Sequence, residues 1–217
     1  MSHSTRISDP LSKIVSMFLG ILLALAAVPG RAQSLPADGA EAVRGFYAAL
    51  LSTMKDAAAL GAQGRYARLE PVVRRTFDVP LMTRLAIGPS WEALPPSQRQ
   101  QVSEAFGRYI SATYADRFDG YSGEKLEVLG EQPSGVGIVV RTRIVKSNDE
   151  PIGISYLTHR GSDAWQVVDI YLNGTISELA THRAEFSAIL RDRGIDGLIT
   201  ALNRKADLLS TAVARAG

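Results

Sequence analysis

The chain has 217 residues, with 24 basic and 22 acidic side chains and no cysteine, which excludes a disulfide framework and any thiol chemistry. Its near-balanced charge gives no support to a basic face for nucleic acid, so no nucleic-acid partner is expected.

The first segment reads as a leader. Residues 1–13 hold Arg6 and Lys13 against one acid, Asp9, and "IVSMFLGILLALAAV" (14–28) follows as an apolar run of 15 residues. That run is short for a membrane-spanning helix, which needs about 20 residues. Gly30 and Ala32 supply small residues at the −3 and −1 positions of a cut. The basic, apolar, small-residue order predicts a signal peptide over 1–32 and an exported, periplasmic domain over 33–217. No Cys follows the cut, which excludes a lipoprotein anchor. The leader removes three basic residues (Arg6, Lys13, Arg31) and one acid, leaving 21 of each in the remaining 185. A domain of that size buries about 70% of its unfolded surface and stands without staples.

The next segments are helical. From Asp38 as N-cap, Val43, Phe46, Tyr47, Leu50, Met54 and Ala57 recur on one face, and Gly61 ends the run. "RYARLEPVVRRTF" is a second helix that Pro71 breaks or kinks. "DVPLMTRLAIG" is a short helix with Asp78 as cap and Pro80 in its first turn. Ser97 and Gln100 have capping-box spacing and open a long helix to about Phe118, with a stripe of Val102, Ala105, Phe106, Tyr109, Ile110, Thr113 and Tyr114.

The period then changes to two. Strands are predicted over 125–130, 136–146, 152–159 and 165–172, joined by short turn-rich links that suit an antiparallel meander. Val136, Ile138, Val140, Thr142 and Ile144 share one face of the second strand, and Arg141 and Arg143 share the other. On the fourth, strict alternation puts Trp165, Val167, Asp169 and Tyr171 opposite Val168, Ile170 and Leu172. Thr175 and Glu178 can cap a helix to about Arg191, Gly194 ends it, and residues 195–214 form a last helix. Helices, then a four-stranded sheet, then helices make a single α+β domain.

The sequence holds few candidate reactive groups. His159 lies at a strand end and His182 on a helix beside Arg183; neither has ligand-spaced partners, so no metal is expected and both read as surface or packing residues. There is no Gly-x-Ser-x-Gly elbow and no Gly-rich phosphate loop. Arg141 and Arg143 can meet an anionic head group or merely face solvent. Asp169 is the one acid inside an apolar strand. It is either a general base with a raised pKa or a lock tying the strand to the following helix through an arginine or backbone N–H groups. A curved sheet faced by amphipathic helices can also hold an apolar cavity, although a filled core would give the same periodicity.

Two long stretches carry a family likeness. "FDVPLMTRLAIGPSWEALPPSQRQQVSEAFGRYISATYADRF" (77–118) and "AWQVVDIYLNGTISELATHRAEFSAILRDRGIDGLITALNRK" (164–205) resemble, in order and spacing, the MlaC or toluene-tolerance family of periplasmic lipid-binding proteins. "YLNGTIS" resembles the hopanoid-associated HpnM branch more than the phospholipid carriers, where Glu-Gly-Val-Ser is more usual at that corner.

The resemblance implies helices packed on a curved four-stranded antiparallel sheet, an NTF2-like cone with an internal apolar cavity. It further implies a carrier with no catalytic residues and no cofactor, taking a phospholipid or a hopanoid between an inner-membrane ABC transporter complex and an outer-membrane complex. Such a carrier is expected to be a monomer with only transient membrane contact. The expected pocket walls are Phe106, Tyr109, Ile110 and Thr113 from the long helix, and Ile138, Val140, Ile154, Tyr156 and Val167 from the sheet. Asp169 is expected to act as the lock, with Arg183 as partner. The competing readings are an NTF2-like isomerase or dehydratase, with Asp169 facing the cavity near His159, Tyr109 or Tyr156, and an interaction module with a filled core.

Overall fold

The computed structural model describes residues 38–146 and 151–211. The predicted leader, the link at 147–150 and the end of the last predicted helix lie outside the described residues.

Four helices come first: α1 (Asp38–Lys55), α2 (Ala57–Thr76), α3 (Val79–Ile87) and, after a 3-10 turn over Gly88–Ala93, α4 (Pro96–Arg117). Five strands follow: β1 (Lys125–Ser134), β2 (Gly137–Val145), β3 (Ile152–Arg160), β4 (Trp165–Leu172) and β5 (Ile176–Ser177). Helix α5 (Glu178–Thr211) closes the chain.

Helix boundaries depart from expectation where local chemistry competes. The first helix ends at Lys55, before Gly61, and Gly61 at φ 58° breaks the helical path within α2 as a kink. Pro71 is also inside α2 on its exposed side, where water can satisfy the carbonyl that the missing N–H leaves open. The Ser97 capping box does not form, because α4 already starts at Pro96, preorganised for the first turn, and Gln100 instead donates to Glu104. Arg99 anchors that entry, donating to the carbonyls of Leu94 and Glu92 and lying over the Trp91 ring at 5.6 Å. Asp78 caps α3 by accepting from the Leu81 N–H at 3.0 Å.

The sheet is an antiparallel meander in the order β1-β2-β3-β4-β5, with one more strand than expected. The extra strand is short: β5 pairs Ser177 with Tyr171 and Ile176 with Leu172. It occupies the place where the Thr175 capping box was expected. Ser177 caps α5 instead, its Oγ accepting from the Ala180 N–H at 2.9 Å. Val136 is not on a strand at all but in the β1–β2 turn, 72% exposed.

One bulge decides the faces of β4. Leu157 pairs with Asp169 but Thr158 pairs with Val167, so Val168 is an extra residue. Side chains directly opposite on an antiparallel pair share a face. Val167 and Ile170 therefore lie on the helix-covered face with Thr158 and Tyr156, while Asp169 and Tyr171 lie on the other. The predicted strict alternation, with Val167 and Asp169 together, is corrected by that single residue.

Helices and sheet pack on each other around Phe46, which is 1% exposed and meets Phe77 and Tyr114 edge-on at 5.2 and 4.9 Å. At one end of the sheet α1 approaches closely: a Cβ on Gly39 would stand 2.6 Å from Thr158 Oγ1. At the other end the two layers separate.

Candidate functional site

The separation leaves a chamber of about 410 Å³, inside the range of about 300–1,000 Å³ typical of ligand pockets. Helix α4 supplies one wall: Phe106, Tyr109, Ile110, Thr113 and Tyr114 recur every three or four residues and so face the same way. Ile144, Ile152, Ile154, Tyr156, Ile170 and Leu172 supply the sheet wall. Met54, Phe77 and Met82 fill in from α1, the α2–α3 junction and α3. The chamber opens where α4 ends. Arg117, Asp119, Glu124 and Lys146 stand around that mouth, with Glu178 from the first turn of α5.

Six of the nine expected wall residues line the chamber: Phe106, Tyr109, Ile110, Thr113, Ile154 and Tyr156. Ile138, Val140 and Val167 do not. They lie on the correct face but nearer the end where α1 closes on the sheet. A Cβ on Gly39 would come within 3.6 Å of Val140, and Val167 bridges to Phe77. Both valines are 0% exposed within packed side chains. Strand parity can be read from a sequence, but the point along a strand where the layers part cannot.

Polar groups back the sheet wall behind Tyr156, whose ring meets that of Tyr47 at 5.8 Å. Thr142 donates to the Ile154 carbonyl at 2.8 Å, so the Tyr47 hydroxyl, 2.7 Å from Thr142 Oγ1, must be the donor there. Burial raises the phenol pKa of Tyr47, Tyr114 and Tyr156, keeping all three neutral.

His182, expected as a surface or packing residue, is a wall residue of the chamber. Its ring meets Phe106 and Phe186 at 5.1 and 5.6 Å, and Nδ1 is buried with no hydrogen bond. Glu185 Oε2 stands 3.8 Å from Nδ1, and the other Glu185 oxygen is bonded to Lys205. Burial lowers the imidazole pKa, with Glu178 and Glu185 opposing in part. A signal was present in the spacing: Glu178, His182 and Phe186 sit four residues apart on one face of α5.

Asp169 is 7% exposed, on the face away from the chamber. One oxygen accepts from the N–H groups of Ile170 and Leu179 at 2.7 and 3.1 Å, and the other accepts from the Ser177 hydroxyl at 2.7 Å. Arg183 is not its partner. Its guanidinium lies against Gly88, where an added Cβ would approach it to 3.2 Å. The first turn of α5 presents backbone donors to β4 while Arg183 points toward the α3 end, so N–H groups take the role expected of the arginine. His159 is bonded to Asp78 at 2.9 Å and does not line the chamber. Among the described residues no three His, Asp or Glu side chains converge as metal ligands, and no helix is long and apolar enough to cross a membrane.

The architecture defines a class: an α+β shell of helices on an antiparallel sheet, parted at one end around an apolar chamber with a charged mouth. The chain belongs to the MlaC protein family, whose family model matches residues 45–204. The intermembrane phospholipid transport system binding protein MlaC of Haemophilus influenzae is 29% identical over 125 residues, 55% of this chain and 58% of that protein. The match thus spans little more than half of that relative's length. A phospholipid-binding protein from Ralstonia solanacearum, solved in complex with a phospholipid, has the same fold. It superposes with a TM-score of 0.70 at 23% identity, over 81% of this chain and 100% of that one.

Proposed function

We propose that this chain is a periplasmic phospholipid carrier that takes acyl tails into the chamber and moves a lipid between membranes without chemical change. The observation that carries the reading is the chamber itself, which joins aliphatic and aromatic walls to a charged mouth on one side. Each buried CH₂ contributes about 0.8 kcal/mol, so a tail leaving a bilayer needs a dry wall of this kind to replace the one it leaves. The transport role named for the Haemophilus influenzae relative and the phospholipid held by the Ralstonia solanacearum protein support the assignment. The exchange partners are then an inner-membrane ABC transporter complex and an outer-membrane complex, met in turn by a monomer through transient membrane contact.

The isomerase or dehydratase alternative loses support from the placement of Asp169, which faces away from the chamber and has both oxygens engaged. The test is native mass spectrometry of the protein taken from its own periplasm, followed by solvent extraction. A bound phospholipid is the expected result. A hopanoid would move the chain to the hopanoid branch, and a protein that stays empty after incubation with liposomes would overturn the carrier.

A further inference from the structure

The chamber accounts for tails; the mouth has chemistry of its own. Its charged groups are of both signs: Arg117 and Lys146 stand with Asp119, Glu124 and Glu178, two cations against three carboxylates. Lys146 is already engaged with a neighbour. Glu124 is held in place by the Ser122 N–H, which donates to Oε2 at 2.6 Å. Glu178 is the first residue of α5, at the positive end of the helix dipole. Among the described residues Arg117, Asp119 and Glu178 show no ion-pair partner within the protein, so the mouth presents one free cation and two free carboxylates to whatever occupies it.

We propose that the mouth selects a zwitterionic phosphodiester headgroup ending in a primary ammonium, with Arg117 on the phosphate and Glu178, Asp119 and Glu124 around the ammonium. This rests on the carrier reading above and narrows its cargo. A lipid whose headgroup is anionic overall brings a phosphate for Arg117 but nothing for the carboxylates, and their repulsion remains. An ammonium supplies the missing charge, and its three N–H donors match carboxylate oxygens. A quaternary ammonium has no such donors and is held instead by open aromatic faces. The mouth offers little of that kind, because the Tyr121 ring already carries Lys55 Nζ at 5.3 Å and Phe118 is stacked on Tyr114.

The delipidated protein, equilibrated with vesicles containing equal parts of dioleoyl phosphatidylethanolamine, phosphatidylcholine and phosphatidylglycerol, tests the proposal, with native mass spectrometry reading the bound lipids. Identical tails remove the chamber from the comparison. The ethanolamine lipid is expected to exceed the glycerol lipid by about fivefold, the order of one favourable charge pair at a partly exposed site. Glu178→Gln should bring that ratio toward unity by lowering the ethanolamine lipid while the glycerol lipid does not fall. Arg117→Gln should lower all three lipids alike, because each has a phosphate, and it serves as the second arm if Glu178→Gln disturbs the α5 start. Equal or preferential binding of the glycerol lipid would overturn the selection, and choline equal to ethanolamine would overturn the primary-ammonium assignment. A wild-type protein that binds none of the three would instead overturn the carrier itself.

Discussion

Three donors converge on the Asp169 carboxylate, and two of them, Ser177 and Leu179, come from the segment that β4 must hold against it. Asp169→Asn keeps the shape but replaces one acceptor with an NH₂ facing the Ser177 hydroxyl, and removes a negative charge near a helix start. The expected loss is about 1–3 kcal/mol, read as a lower denaturation midpoint with unchanged lipid selectivity. A variant of wild-type stability would remove the lock.

His182 gives a pH dependence with a definite sign. Its folded pKa lies below the ordinary value, so the native state resists protonation and the unfolded state binds the extra proton first. Stability from this group is therefore complete above about pH 6.5 and falls as pH drops below that toward the lowered value. Glu178, Glu185 and Lys205 surround it and leave that direction unchanged. His182→Phe fills the same aromatic niche without a titrating group. The wild type should lose more Tm than this variant between neutral and mildly acidic pH, and parallel curves would exclude His182 as the sensitive site. Of these two residues, Asp169 was conspicuous in the sequence because an acid interrupts an apolar strand. Its partners were not, since two of the three are backbone N–H groups with no letter of their own.

The decisive feature among the elements is the Val168 bulge, which flips Asp169 and Tyr171 away from the chamber. Deleting Val168 would restore strict alternation, and either Asp169 or the Val167 end of β4 would then face the wrong layer. The expected outcome is a protein that fails to reach a cooperative fold, checked by loss of a sharp thermal transition. At Gly194, φ 67° bends α5, and Gly194→Ala should cost about 1 kcal/mol from strain in the left-handed region. Helix stripes and the meander were legible because their periods, 3.6 and 2, are set by backbone geometry. The bulge was hidden because an apolar run such as Val167–Val168 reads the same in either register. Both expected capping boxes failed for a local reason: a stronger start, Pro96 in one case and the β5 pairing in the other, lay within two residues.

At the scale of the whole molecule, the chamber exists because the helical layer closes on the sheet near Gly39 and Thr158 and stands off near Ile144 and Ile152. Ile154→Trp, in the sheet wall, should fill part of that space. Bound lipid is expected to fall severalfold while thermal stability stays within about 1–3 kcal/mol, the usual range for inserting bulk. Undiminished loading would move the lipid site elsewhere. Sequence periodicity showed which faces turn inward, but a void is an absence of atoms that depends on how two layers diverge, and no residue encodes it alone.

The positions of the two indoles bear on how loading can be watched. Trp91 lies under Arg99 at the α4 entry, and Trp165 opens β4 with its Nε1 buried and unbonded. Neither touches the chamber, whereas Tyr109, Tyr114 and Tyr156 line it. Tryptophan emission in this protein is therefore a gauge of the scaffold and nearly deaf to cargo. A lipid entering or leaving should register in the tyrosine bands, and any indole signal during transfer would report that the shell itself had moved.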